Sequence, residues 1–282
     1  NPQQAFHCFQ TATQKDPNSA TAWVYLGNCY ANGLGCDKNP QRAFRCYQTA
    51  SQKDPNSAAA WASLAYCYEN GLGCDKNPQQ AFRCYQTATQ KNSNSAAAWV
   101  NLGNCYENGL GCDKNPQQAF YCYQTATQKD PNSAAAWDRL GYCYANGQGC
   151  DKNPQQAFHC YQTATQKDSS YAIAWNNLGY CYANGQGCDK NPQQAFRCYQ
   201  TATQKDPNHA AAWVSLGNFY ADGQGCDKNP QQVFHCYQTA TQKDSNLAAA
   251  WTNLGSCYEK GLGCDKNPQQ AFQRPQLCYC LD

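Results

Sequence analysis

Between Ala96 and Ser133, apolar side chains stand at Ala98, Leu102, Cys105 and Tyr106, a three-and-four spacing that lines one face of a helix. Ser95 precedes the run as an N-cap. Gly109 and Gly111 follow its last periodic residue, where glycine ends a helix readily. A second amphipathic run has Ala119, Phe120, Tyr123 and Ala126 on its apolar face. Asn115 caps it, and Pro116 takes the first helical position, where its missing N–H costs nothing. Asp130-Pro131 closes it, because the residue before proline disfavours the helical region. The predicted element is a pair of antiparallel helices joined by a glycine-containing turn.

This element recurs. Trp23, Trp61, Trp99, Trp137, Trp175, Trp213 and Trp251 are each 38 residues apart. A fixed period of this size signals stacked repeats, each unable to bury its apolar stripe alone. The reading is one array over 1–282. It has a lone second helix in 1–19, full repeats in 20–57, 58–95, 96–133, 134–171, 172–209 and 210–247, and a last repeat with a divergent tail in 248–282. The opening NPQQAF recurs inside the repeats, so a processed or truncated start is expected.

Trp99, Leu102, Gly103 and Tyr106 match the W-x-x-L-G-x-x-Y pattern of the tetratricopeptide repeat, and Ala119, Tyr123, Ala126 and Pro131 match the rest if the turn is four residues longer. With its GLGC turn (Gly109–Cys112), the unit resembles the Sel-one-like subfamily. All repeats fit, apart from Ala65 in place of glycine. The resemblance implies an all-α fold, a right-handed α-solenoid of antiparallel helix pairs, with first helices on the concave face and second helices on the convex face. Gly103 and Ala119 would let helix backbones approach, with Trp99 filling the space beside them.

Composition changes the picture of the core. Leu, Ile, Val and Phe make up about a tenth of the chain, a level seen in disordered chains when net charge is also high. Here the net charge is +2, and 20 Tyr, 7 Trp and 22 Cys supply apolar surface. A core of aromatics, alanine and cysteine follows. The near-neutral balance argues against a nucleic-acid partner, and no apolar stretch is long enough for a membrane span. Abundant cysteine favours an extracellular or periplasmic setting, the alternative being a cytoplasmic chain with reduced thiols.

Near-identical repeats allow the chain to be compared with itself. Differences gather one, two, five and eight residues after the tryptophan, and offsets one, five and eight form a single helical stripe. The candidate partner-binding residues there and beside it are Asn28, Tyr66, Glu69, Asn104, Glu107, Asp138, Arg139, Tyr142, Asn176, Tyr180 and Asn218. By resemblance the stripe faces the concave groove. Tyr gives rigid contact area and Asn a donor and an acceptor, which suits an extended protein or peptide segment, or a glycan. The competing reading is a solvated face free to drift. A second variable offset, with His7, Arg45, Arg83, Tyr121, His159, Arg197, His235 and Gln273, is expected on the outer surface.

Three cysteines recur per repeat. Phe219 replaces the first-helix cysteine in the sixth repeat, so turn and second-helix cysteines are the candidate pairs: Cys36–Cys46, Cys74–Cys84, Cys112–Cys122, Cys150–Cys160, Cys188–Cys198 and Cys226–Cys236. Each bridge would close a loop of about ten residues, worth roughly 2.7 kcal/mol. In the seventh repeat Arg274 takes the second-helix position, and Cys264 could reach Cys278 or Cys280. A rival scheme joins second-helix to next first-helix cysteines, as in Cys84–Cys105. Buried reduced thiols are the third possibility.

No zinc spacing, phosphate-cradling loop or nucleophile–base set stands out. No catalytic residue, cofactor or metal is assigned, and a non-enzymatic scaffold is expected. The alternative is a structural subunit of an extracellular fibre, built by head-to-tail stacking of solenoids.

Overall fold

A computed structural model describes residues 1–267 and 269. Among these residues there are fourteen helices and no strand. First helices are α2 (Ala20–Asn32), α4 (Ala58–Asn70), α6 (Ala96–Asn108), α8 (Ala134–Asn146), α10 (Ala172–Asn184), α12 (Ala210–Asp222) and α14 (Ala248–Lys260). Second helices are α1 (Pro2–Lys15), α3 (Pro40–Lys53), α5 (Pro78–Lys91), α7 (Pro116–Lys129), α9 (Pro154–Lys167), α11 (Pro192–Lys205) and α13 (Pro230–Lys243). Arg274, Gln273, Cys278 and Cys280 lie outside the described residues.

The expected caps set these boundaries. Ser95 accepts from the Ala98 N–H and Asn115 from the Gln118 N–H, each meeting one orphan donor of its helix. Gly109 adopts the left-handed conformation at the end of α6 (φ +70°), which a side chain would resist. Gly111, at φ +74°, is constrained twice over, because a Cβ there would also run into the carbonyl of Pro78, at the start of the previous second helix. The turn glycine therefore marks where one repeat's turn lies against its predecessor's α5.

The helices group into two compact units. The first takes 1–139 with 148–150, and the second takes 140–147 with the chain from 151 on. In the first unit, α2 packs on α3, α4 on α5 and α6 on α7; each first helix also packs on the preceding second helix, and α2 touches α4. In the second unit, α9 to α14 pack in sequence, and α10 touches α12, which touches α14. First helices thus form a layer beside the second helices within each unit.

Cores in both units are built from alanine, cysteine, leucine and tyrosine. Successive repeats are joined by an edge-on aromatic pair: Phe44–Tyr68 and Phe82–Tyr106 in the first unit, Phe158–Tyr182, Phe196–Tyr220 and Phe234–Tyr258 in the second, all with centroids 5.2–5.4 Å apart. Such pairs add about 0.5–1.5 kcal/mol beyond area burial.

Two details differ from the sequence expectation. The tryptophans are half-buried, and each indole N–H donates to a carbonyl six residues earlier, as Trp99 does to Ser93 at 2.9 Å. The enclosed aromatics are tyrosines, Tyr85 and Tyr123 among them. Gly103 also makes room for a side chain, since a Cβ there would lie 2.5 Å from Cε1 of Tyr123. The backbone itself is not what approaches it.

Candidate functional site

The stripe residues share a face of the first helices but differ in what they do there. Offset-five residues stand beside the buried second-helix tyrosine. Tyr47 donates its O–H to Asn28 Oδ1 at 2.8 Å, and Tyr237 donates to Asn218 Oδ1 at 2.7 Å. Tyr123 contacts both Asn104 Oδ1, at 2.8 Å, and Glu107 Oε2, at 2.6 Å. These hydroxyls need acceptors because an unmet buried O–H would lose its hydration without return. Where offset five is itself tyrosine (Tyr66), Tyr85 turns to the offset-eight carboxylate, Glu69 Oε2, at 2.7 Å. That repeat also carries Ala65 in place of glycine. Burial, then the bond and charge of Glu69, push the Tyr85 phenol well above its ordinary pKa, so it remains the donor.

The remaining stripe positions divide by exposure. Tyr66 and Tyr180 are exposed at 54% and 53%, and Tyr142 and Asn218 are also exposed. Asn28, Glu69, Asn104, Arg139 and Asn176 are half-buried. Asp138 and Glu107 are buried, at 3% and 8%. Asp138 is thus buried like Val24 and Val100 at the same offset, whereas Asn176 is half-buried and Thr252 exposed there. Arg139 Nη1 lies 4.0 Å from Glu107 Oε2. In the second unit, Ser215 donates to Asn176 at 3.3 Å and Asn253 to Asn218 at 3.2 Å, linking neighbouring first helices. Exposed Tyr25, stacked on Phe9 at 5.0 Å, belongs to the same surface although sequence reasoning does not select it. Its variation at offset two is the signal that could have added it.

The second variable offset does reach the outside: His7, Arg45, Arg83, Tyr121, His159, Arg197 and His235 are all exposed. Tyr121 and His235 pack edge-on against Trp99 and Trp213.

Cysteines occupy two settings. The second-helix thiols Cys46, Cys84, Cys122, Cys160, Cys198 and Cys236 are buried, as are first-helix thiols such as Cys29 and Cys105. Burial pushes Cys122, Cys198 and Cys236 up to about 12. Turn cysteines Cys36, Cys74, Cys112, Cys150, Cys188 and Cys226 are half-buried. The thiols of Cys112 and Cys226 donate to carbonyls seven residues earlier, those of Cys105 and Phe219, both at 3.6 Å. Turn sulfurs therefore sit against the end of the first helix. Cys36 and Cys46, Cys74 and Cys84, Cys112 and Cys122, Cys188 and Cys198, and Cys226 and Cys236 are free thiols here. Among the described residues, no three His, Cys, Asp or Glu side chains converge as a metal site.

Comparison with known proteins agrees with the geometry. The model of the Sel1 repeat matches residues 1–17, 24–55, 55–93, 96–131, 138–169, 172–207, 209–245 and 248–273. The structure is similar to a Sel1 repeat protein from Oxalobacter formigenes, with 25% identity and a TM-score of 0.77, covering 94% of this chain and 98% of that one. It also resembles a protective antigen of uropathogenic Escherichia coli with an SLR fold, with 22% identity and a TM-score of 0.70, covering 93% of this chain. This chain spans 54% of that antigen's length. The APC/C hetero-tetramer Cut9–Hcn1 is a third neighbour, at 17% identity and a TM-score of 0.68, with 90% of this chain and 45% of that one covered. No curated protein matches in sequence. These likenesses show an all-α solenoid fold.

Proposed function

The chain belongs to the Sel1 repeat family, and from that premise we propose that it is a non-enzymatic scaffold that binds an extended protein or peptide segment along its first helices. One observation carries this reading. The residues that differ between repeats include exposed tyrosines, Tyr66 in the first unit and Tyr142 and Tyr180 in the second, on helices whose other positions are nearly invariant. Exposed tyrosine gives a partner rigid area at small entropic cost. Hydrogen-bonded asparagines and carboxylates beside it are held in fixed positions. A neighbour described as a hetero-tetramer shows that such a fold occurs in a protein assembly. A photo-crosslinker placed at Tyr66 or Tyr180 should capture the partner, whereas one at Arg83 or Arg197 on the outer face should not. Capture from the outer face alone contradicts the proposal.

The fibre reading, head-to-tail stacking of solenoids, rests on the near-identity of the repeats, which gives each unit the same surfaces for a neighbour. Sedimentation across a concentration series tests it, and a constant mass contradicts it. An extracellular or periplasmic setting with turn-to-second-helix bridges is proposed alongside. A non-reducing peptide map linking Cys112 to Cys122 supports the bridges; a link from Cys112 to Cys105 overturns them. Among the described residues, no helix is long and apolar enough to cross a membrane.

A further inference from the structure

The groove reading leaves open what chemistry the partner brings, and two neighbouring repeats answer it by comparison. At Glu107 the chain itself supplies a cation to a stripe carboxylate: Arg139, on α8, approaches Oε2 of Glu107, on α6, at 4.0 Å. One repeat earlier the carboxylate is Glu69 on α4, and the residue at the position matching Arg139 is Asn101 on α6. Asn101 is neutral and cannot serve as a counter-ion. Glu69 is half-buried and accepts the Tyr85 hydroxyl at 2.7 Å through Oε2. Tyr66 lies three residues before Glu69, on the same helix face, and is 54% exposed.

We propose that Glu69 and Tyr66 form a docking point for an arginine side chain of the partner segment, which stands at Glu69 as Arg139 stands at Glu107. This rests on the groove reading and gives it a chemical class. A guanidinium brings several donors in a planar fork that fits a carboxylate, and it stacks on an aromatic face. The Tyr66 ring is open to solvent and offers that face. A partly withdrawn carboxylate is less screened than a fully exposed one, so the pair keeps more of its attraction. Glu107 is the built-in control, because its cation is already in the chain.

The test titrates N-acetylarginine amide into the full chain and reads the Glu69 carboxylate and Tyr66 ring signals by NMR. N-acetylcitrulline amide is the neutral isostere and N-acetyllysine amide the second cation. Arginine amide should shift both residues saturably, with citrulline amide weaker by about tenfold or more. Glu69→Gln should weaken binding by a similar factor, while its side-chain oxygen still accepts from Tyr85. Asn101→Arg should abolish binding by placing an internal guanidinium at Glu69. That variant keeps Glu69, Tyr66 and Tyr85, so it carries the test even if Glu69→Gln loosens the fold. Equal binding of citrulline or lysine amide, indifference to Asn101→Arg, or no shift at Glu69 overturns the assignment. Peptides selected from a random library separate the two levels. If they crosslink to Tyr66 but lack arginine and ignore Asn101→Arg, this inference fails and the groove reading stands. If none touches the first helices, both fail.

Discussion

Replacing Tyr123 with phenylalanine removes one oxygen from a fully enclosed side chain and leaves no cavity. Tyr123 is 0% exposed, and its hydroxyl lies 2.6 Å from Glu107 Oε2 and 2.8 Å from Asn104 Oδ1. Glu107 is 8% exposed, so water reaches it poorly, and the Arg139 guanidinium beside it is 4.0 Å away. A hydrogen bond to a charged group contributes about 1.5–3 kcal/mol, and a neutral one about 0.5–1.5 kcal/mol. Asn104 is half-buried and can rehydrate, so most of the loss falls on Glu107. Tyr123→Phe should therefore cost about 2–3 kcal/mol. Tyr47→Phe loses a bond to the neutral Asn28 and should cost about 1 kcal/mol. Tyr85→Phe loses a bond to the half-buried Glu69 and should fall between them. Repeat arrays open locally, so amide hydrogen exchange in α3, α5 and α7 is the proper assay, with urea unfolding by circular dichroism beside it. Equal costs at the three sites, or a reversed order, would refute the role given to the carboxylates.

Other outcomes follow from the same geometry. His209 occupies the cap position of α12 without a side-chain cap bond, and its Nε2 is buried without a hydrogen-bond partner. Burial lowers its pKa below 6.5, against an upward pull from Asp206. The folded state thus binds this proton less readily than the unfolded chain, so stability is full above about pH 6.5 and falls as pH drops through it. His209→Ser should remove that dependence and add about 1 kcal/mol by restoring a cap, read from urea midpoints at neutral and mildly acidic pH. With an alkylating reagent under reducing conditions, mass spectrometry should find exposed Cys8 labelled first and turn thiols such as Cys112 more slowly. Cys122, pushed up to about 12 by burial, should react only on unfolding. Gly111→Ala combines a left-handed φ with a Cβ directed at the Pro78 carbonyl and should cost about 2–3 kcal/mol, read from urea midpoints. Gly103→Ala should cost less, because Ala65 shows that the tyrosine ring can adjust.

The helices are legible in the sequence because each boundary has a local cause. Ser95, Asn115-Pro116, Gly109 and Asp130-Pro131 act on their own neighbours; the serine cap recurs at Ser19 and Ser57, while His209 and Leu247 hold that position without a side-chain cap bond and their helices still start in register. The second-helix aromatic, Tyr123, can be placed on an apolar face by spacing alone. Its hydroxyl's choice of Asn104 and Glu107 cannot, because that choice depends on how α6 and α7 meet. The same cause hides a second role of the stripe. Variation at offset five marks these positions, but that Asn28, Asn104 and Asn218 accept from a buried tyrosine of their own repeat is visible only in the structure. Ala65, Tyr66 and Glu69 change together in one repeat, which is the trace of that coupling in the sequence. Asp138 looks reachable from sequence because helical spacing gives a face but not how closely the next helix covers it.

The central claim is that the first-helix face carries recognition. It is tested most directly by binding peptides from a random library to the full chain and to two variants. Tyr66→Ser with Tyr180→Ser alters the first-helix face, and Arg83→Ser with Arg197→Ser alters the outer face. Both variants should keep the helical circular dichroism of the parent, since all four side chains are exposed. Affinity should fall by about tenfold or more in the tyrosine variant and hold in the arginine variant. Unchanged binding in the tyrosine variant, or loss confined to the arginine variant, would contradict the account.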